Sequence, residues 1–390
     1  MPGKQLTYGR LLGVLLCALA GPHSVSAETG SSGNAPRFLG SQSCATSGCH
    51  GGAGELSKQV TVWRQYDVHF QRPVATLTTA RSERLAQVLK IADPTKDARC
   101  TACHAPLQTV PTERLSPDVK ITEGVSCENC HGPAENWLLS HTRKDYTHED
   151  RVHAGMRDLK NPYVRANTCV ACHQNVDSEL LRAGHPELIF ELDGQAVTQP
   201  KHWRKELDKP GPQLWLVGQW VALREMQRPR DVPLNETNLS LELTQLTAVN
   251  RDRELGLSWV LTTVDQATKI RPATVQGEAS GWDDSFAQKA STLVWTKDLT
   301  RACLKALVNT SEEFCDKRIS NSAQARRAER LVLALDRLTQ ALPNAKTAAV
   351  NAALNRLFTD AQSLPDFDPA QFAKDLKEFH VRVASALETK

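Results

Sequence analysis

Eight cysteines stand in four pairs, and a histidine follows the second member of every pair. The strings are CATSGCH (Cys44, Cys49, His50), CTACH (Cys100, Cys103, His104), CENCH (Cys127, Cys130, His131) and CVACH (Cys169, Cys172, His173). With 11 cysteines and 12 histidines in 390 residues, a CxxCH string should arise by accident roughly 0.01 times per chain. Three occur, plus one with a longer spacer. In c-type haem attachment each thiol adds across a vinyl group and makes a thioether. One helical turn brings both sulfurs to the porphyrin edge and sets the next imidazole under the iron. Zinc is a competing chemistry, since CTACH and CENCH together resemble the ligand spacing of a zinc ribbon. Disulfides are another, in an exported chain. Neither requires a histidine after every second cysteine, so four covalently attached haem c groups are the expected cofactors.

The other axial position of each iron needs a ligand. Seven further histidines follow the leader: His69, His141, His148, His153, His185, His202 and His380. Beyond Met1 the methionines are Met156 and Met226 alone. Methionine ligation, which raises potential, cannot then be general, and bis-histidine ligation with low potentials is expected at most sites. His69 lies in VWRQYDVHFQRPVATL (62–77), which reads as helix. His141 lies in NWLLSHT, His185 in AGHPEL and His202 in PKHW. These four are the candidate distal ligands. His148 and His153 sit in the charged stretch DYTHEDRVHAG and read as solvated.

Three kinds of segment must position these groups. Residues 1–27 read as a secretory signal: Lys4 and Arg10, then the short apolar run LLGVLLCALAG, then SVSA with cleavage expected near Ala27. A periplasmic location follows, which suits covalent haem attachment, and no later stretch is apolar enough for a transmembrane segment. The formal charge of +3 falls further once Lys4 and Arg10 leave, which argues against nucleic acid as a partner. Residues 28–204 hold all four motifs and read as a tetrahaem domain. Residues 205–390 hold none and read as a helical bundle, with helices expected at 212–227, 254–270 and 285–308. A further one carries Leu331, Leu335, Leu338 and Leu342 on one face and stops at Pro343. The last is opened by Asp368–Pro369. Loops are expected at 228–236 and 272–284, and Cys303 with Cys315 as one disulfide, with two buried free thiols as the alternative. The fold class is mainly α with little regular strand.

The segments SQSCATSGCHGG, WRQYDVHF, CTACHAPL, GVSCENCHGPAENWLLSHT, GMRDLKNPYVRANTCVACH and LLRAGHPELIFELD resemble the tetrahaem cytochrome c-554 family over residues 41 to about 204. The resemblance implies closely packed haems that pass electrons between a redox protein donor and acceptor. It implies ligands exchanged along the chain, with His69 serving the haem of His131 and His141 that of His173. It also implies that one iron can lack a distal protein ligand and take a small nitrogen-oxide molecule. An electron carrier is therefore the first reading. A redox enzyme at a five-coordinate haem, and an electron-delivering subunit of a larger complex, are the alternatives.

Overall fold

Helix caps written into the sequence place the cysteine pairs. The computed structural model describes residues 35–388, apart from Leu56, Asn175, 204–209, 228–240, 272–283 and 364–365; for 241–249 it describes the backbone only. The expected signal segment and the loop at 228–236 lie outside these residues, as does the loop at 272–284 up to its last position. The helix Ala98–His104 starts on Asp97, whose carboxylate accepts the Arg99 amide at 2.9 Å. Cys127–His131 starts on a capping box between Ser126 and Asn129. Pro162–His173 starts on Asn161, which accepts the Tyr163 amide at 2.9 Å, with proline at the first helical position. A side-chain acceptor at the cap and proline just inside it are the usual devices for fixing a helix start. Each CxxCH string thus forms the last turn of a helix, and its histidine ends that helix.

The first pair differs. Cys44 closes the 3-10 helix Ser41–Cys44, and Cys49 and His50 follow in a turn. The two extra residues of the spacer are absorbed there, with the Cys49 and Gly51 amides both donating to the Thr46 carbonyl at 2.9 and 3.0 Å. Gly51 is the glycine this turn requires, because a Cβ there would lie 1.9 Å from the Ala45 carbonyl oxygen. Gly48, in the spacer itself, has nothing within 4 Å of where a Cβ would stand.

The helix expected through His69 is broken. It runs Gln59–Tyr66, stops at Asp67 and resumes as Arg72–Thr76. Asp67 accepts the His69 amide at 3.0 Å, which holds a turn instead of a helix. The turn is docked on residues 123–125, with Gln71 donating to the Glu123 carbonyl and Val125 to the His69 carbonyl, both at 3.0 Å. Gly124, at φ +90°, permits that approach, since a Cβ would sit 2.5 Å from the His69 oxygen. Among the described residues there is no strand, only isolated bridges joining Phe38 to Leu115 and Phe70 to Gly124. The fold is mainly α.

The second half holds the helices Gly211–Gln227, Leu241–Thr268, Asp284–Thr292, Lys297–Val308, Asn321–Gln340, Ala348–Gln362 and Pro369–Leu387. The single helix expected over 285–308 is two, separated at Leu293–Thr296, where Thr296 accepts the Leu299 amide and caps the second. Ala348–Gln362 was not foreseen; its start is capped by Thr347, which accepts from Val350. Asp368 caps the last helix as expected, accepting the Ala370 and Gln371 amides at 2.9 and 3.2 Å. Leu331, Leu335, Leu338 and Leu342 are all buried. The expected disulfide is not formed: both thiols are free, with Cys303 in the core and Cys315 exposed.

One core joins the halves. Ala166 and Val170 of Pro162–His173, with Phe190 and Leu192, belong to the same buried cluster as Trp215, Trp220 and Leu335. At this junction Glu191 is buried and accepts from Gln219 Nε2 at 3.0 Å. Burial pushes its carboxyl up to about 8, Asp193 adds to the rise, and Arg330 and Arg337 oppose it. The folded chain therefore binds a proton that the unfolded chain releases near pH 4.5. Stability from this group is full below that pH and is lost as pH rises towards 8. Glu191→Gln keeps a hydrogen-bonding amide and removes the ionisation. Between pH 5 and 8, its urea-unfolding free energy is expected to decline by about 3–4 kcal/mol less than that of the parent chain. Parallel declines in the two proteins would rule this out.

Candidate haem-binding site

All eight paired cysteines and all eight candidate histidines line one cavity of about 2970 Å³. A site for one small ligand occupies roughly 300–1,000 Å³, so this space suits several large groups. Within it the histidine rings face one another in pairs. His50 and His141 stand 6.1 Å apart between ring centroids, at 13°. His69 and His173 stand 6.1 Å apart at 82°, and His131 and His202 6.4 Å apart at 84°. With metal–nitrogen bonds of roughly 2 Å on each side and ring nitrogens about 1 Å from their centroids, two imidazoles sharing one metal stand about 6 Å apart. Each facing pair joins one motif histidine to one histidine from elsewhere.

Hydrogen bonds at the other nitrogen reinforce the fit. Nδ1 of His50 meets Gln59 Oε1 at 3.1 Å, and that of His69 meets Asp67 Oδ1 at 2.8 Å. Nδ1 of His104 meets the Pro73 carbonyl at 2.7 Å, and that of His141 the Trp137 carbonyl at 3.1 Å. His185 and His202 bind the Pro186 and Pro200 carbonyls at 2.8 and 3.2 Å. These partners are acceptors, so Nδ1 carries the hydrogen and Nε2 keeps its lone pair for a metal. Burial lowers the proton affinity of His104, His131 and His173, with His131 brought down to about 4. Their rings are neutral, the form that ligates. His148 is different: its Nε2 is taken by Asp158 Oδ1 at 2.9 Å. His153 does not line the cavity.

The rings do not stand in the pairs that the family resemblance implies. His69 faces His173 and not His131, and His141 faces His50 and not His173. The physical reason is the turn at Asp67, which aims His69 across the cavity instead of along a helix. Among the described residues His104 has no facing histidine ring of this kind; His185 is the neighbouring imidazole whose charge lowers its proton affinity.

The thiols also meet between sites. Cys44 is hydrogen-bonded to Cys127 and Cys103 to Cys172, and Cys130 lies near Cys169. These contacts join the first site to the third, the third to the fourth and the fourth to the second. Among the described residues no three His, Cys, Asp or Glu side chains converge as a metal-binding group, and a zinc centre takes four ligands.

Residues outside the expected set hold this arrangement. Glu128, inside CENCH, is fully buried. Its carboxylate accepts the amides of Leu39 at 2.9 Å, Gly40 at 2.6 Å and Ala134 at 2.7 Å. Asp67 and Gln59 orient two of the candidate ligands. The spacing Asp67-x-His69 is a signal that could have revealed the first of these, because an aspartate two residues before a turn residue reaches its amide.

No match was found for this chain among curated proteins or among solved structures. The helices of the described residues include none long and apolar enough to cross a membrane. Residues 43–132, the stretch carrying the first three cysteine pairs, are similar to the family whose model is described as Cytochrome c554 and c-prime.

Proposed function

We propose that the chain is an exported electron carrier holding four haem c groups, attached through Cys44/Cys49, Cys100/Cys103, Cys127/Cys130 and Cys169/Cys172. His50, His104, His131 and His173 are the proximal ligands, and His141, His185, His202 and His69 the respective distal ligands. The observation that carries this reading is the set of three facing imidazole pairs at 6.1–6.4 Å in a cavity walled by all eight cysteines. Haem iron supplies reversible one-electron exchange when bound.

The chain's own residues do the rest. The cysteines would hold each haem covalently, and the paired histidines would ligate its iron. Asp67, Gln59 and the backbone carbonyls fix each ring's tautomer and direction and make the imidazole a stronger donor. The thiol contacts support an electron route through the sites in the order first, third, fourth, second. A redox protein donor and acceptor outside the cytoplasm are the partners implied. Chemistry on a small nitrogen or sulfur compound is the second reading; it would need His185 to leave the His104 site, the one site whose two candidate imidazoles form no facing ring pair among the described residues.

The test is intact mass of the purified holoprotein beside its pyridine haemochrome spectrum. Four haems per chain are expected. Three would remove the first site, whose spacer is longer. None would return the cysteines to zinc.

A further inference from the structure

The segment carrying His185 is held by the second half of the chain. It emerges from the helix Ser178–Arg182 and crosses residues 185–190 without regular structure. Three bundle helices reach it. From Leu241–Thr268, Arg253 pairs with Glu187 Oε1 and donates Nη2 to the Leu188 carbonyl at 2.8 Å. From Asn321–Gln340, Arg326 Nη2 lies 3.1 Å from Glu187 Oε2. From Gly211–Gln227, Gln219 Nε2 donates to the Phe190 carbonyl at 3.0 Å. The arginines are fixed in turn. Arg253 is 7% exposed in its side chain and Arg326 14%, and Arg326 also reaches Glu329 Oε2 at 3.2 Å. An exposed ion pair contributes little. Here one carboxylate divides its two oxygens between two guanidinium groups that are mostly shielded from water, an arrangement that fixes direction as well as distance.

We infer that Glu187, clamped by Arg253 and Arg326, is a positioning residue that keeps His185 over the His104 site, so that the helical half sets whether that iron is six-coordinate or open. The inference rests on the reading that His185 is the distal ligand there. Glu187 lies two residues beyond His185, and Pro186 between them stiffens the link. A shift of the Glu187 carboxylate therefore moves the imidazole directly. The other three distal histidines precede this segment or lie beyond Leu192–Thr198, so the clamp acts on one site of four. Any partner that disturbed the Arg253–Arg326 face would open that iron without touching the cavity.

The test uses full-length holoprotein and three variants. His185→Ala is expected to convert one haem equivalent per chain from low to high spin, read by electron paramagnetic resonance and visible absorption. Glu187→Gln is expected to convert a fraction of the same equivalent, with the other three unchanged. It should also raise the apparent affinity of that haem for nitric oxide about tenfold, because affinity scales with the open fraction. Arg326→Gln should do the same more weakly, and added imidazole should restore the low-spin spectrum in all three. If His185→Ala leaves four low-spin haems, the ligand reading and the clamp both fall. If His185→Ala opens the site while Glu187→Gln and Arg326→Gln leave spin state and nitric oxide affinity unchanged, the ligand reading stands and the clamp is overturned. A loss of low-spin signal spread over all four haems in the Glu187 and Arg326 variants would mark general destabilisation and also overturn it.

Discussion

Glu128→Ala is expected to destabilise the first half of the chain by about 5 kcal/mol, since each buried hydrogen bond to a charged group contributes roughly 1.5–3 kcal/mol and its loss strands the donor. Glu128 is fully buried, and its two oxygens serve three amides from two separate stretches. Leu39 and Gly40 precede the first cysteine pair, while Ala134 follows CENCH. The carboxylate therefore pins the approach to the first site against the exit of the third. Cys44 is hydrogen-bonded to Cys127 across the same seam. Alanine would leave three N–H groups without this acceptor, those of Gly40 and Ala134 in buried surroundings. Hydrogen exchange of the Leu39, Gly40 and Ala134 amides, with the urea midpoint, measures the effect. Protection should fall at these amides first, and covalent haem at the first and third sites should fall with it. Glu128→Gln keeps one carbonyl oxygen and should lie between. A change below about 1 kcal/mol, the scale of an ordinary surface substitution, would mean that the amides find other acceptors.

The cysteine pairs and the histidine after each stand out in the sequence because their signal is local. A covalent attachment needs two thiols and an imidazole within one turn, so the pattern survives without any knowledge of the fold. The candidate distal histidines carry no such local mark. His141, His185 and His202 were singled out by neighbouring tryptophan, glycine and proline, and the structure brings each to the cavity. Their partners were not readable, because the pairing depends on how chain segments cross. His69 illustrates the limit. Its surroundings have helical composition, yet Asp67 takes the His69 amide and Gly124 admits the turn. That glycine stands 55 residues away in sequence, at a position whose positive φ no propensity reports. Glu128 was hidden for a related reason. Read alone it is a charged residue on a short helix, and only the fold shows that its solvent-facing side is another part of the chain.

The second half shows the same division. Leucines at helical spacing and the Asp368–Pro369 start mark their helices, because amphipathic faces and caps are written in consecutive residues. The break between Asp284–Thr292 and Lys297–Val308 was missed because apolar residues continue through it. Leu293 and Trp295 still pack on the core while Val294 faces solvent, so the hydrophobic count did not dip where the helix did. The free state of Cys303 follows from burial: its helix faces the core, whereas Cys315 lies outside.

His69→Ala is expected to open the site of His173 and leave those of His50 and His131 closed. Ring orientation makes the outcome readable. The rings of His69 and His173 are crossed at 82° and those of His131 and His202 at 84°, whereas His50 and His141 lie within 13° of parallel. Crossed ligand planes leave two iron d orbitals nearly equal in energy, and parallel planes split them. In electron paramagnetic resonance the crossed pairs should give two strongly anisotropic low-spin signals and the parallel pair one rhombic signal. His69→Ala should remove one anisotropic signal and add one high-spin signal of equal weight. Loss of the rhombic signal instead would assign His69 to His50. Asp67→Asn is the graded counterpart. The carboxylate, 3% exposed in its side chain, sits 2.8 Å from Nδ1, and its negative charge beside a ligating imidazole would favour the ferric state. Removing that charge should raise the potential of the same haem by about 60 mV for each tenfold change in relative affinity for the two oxidation states. The low-spin signal should survive, because the ring itself remains. The pair of variants separates ligation from tuning: alanine at 69 changes spin, asparagine at 67 changes potential, and both must act on one haem if His69 and His173 share it.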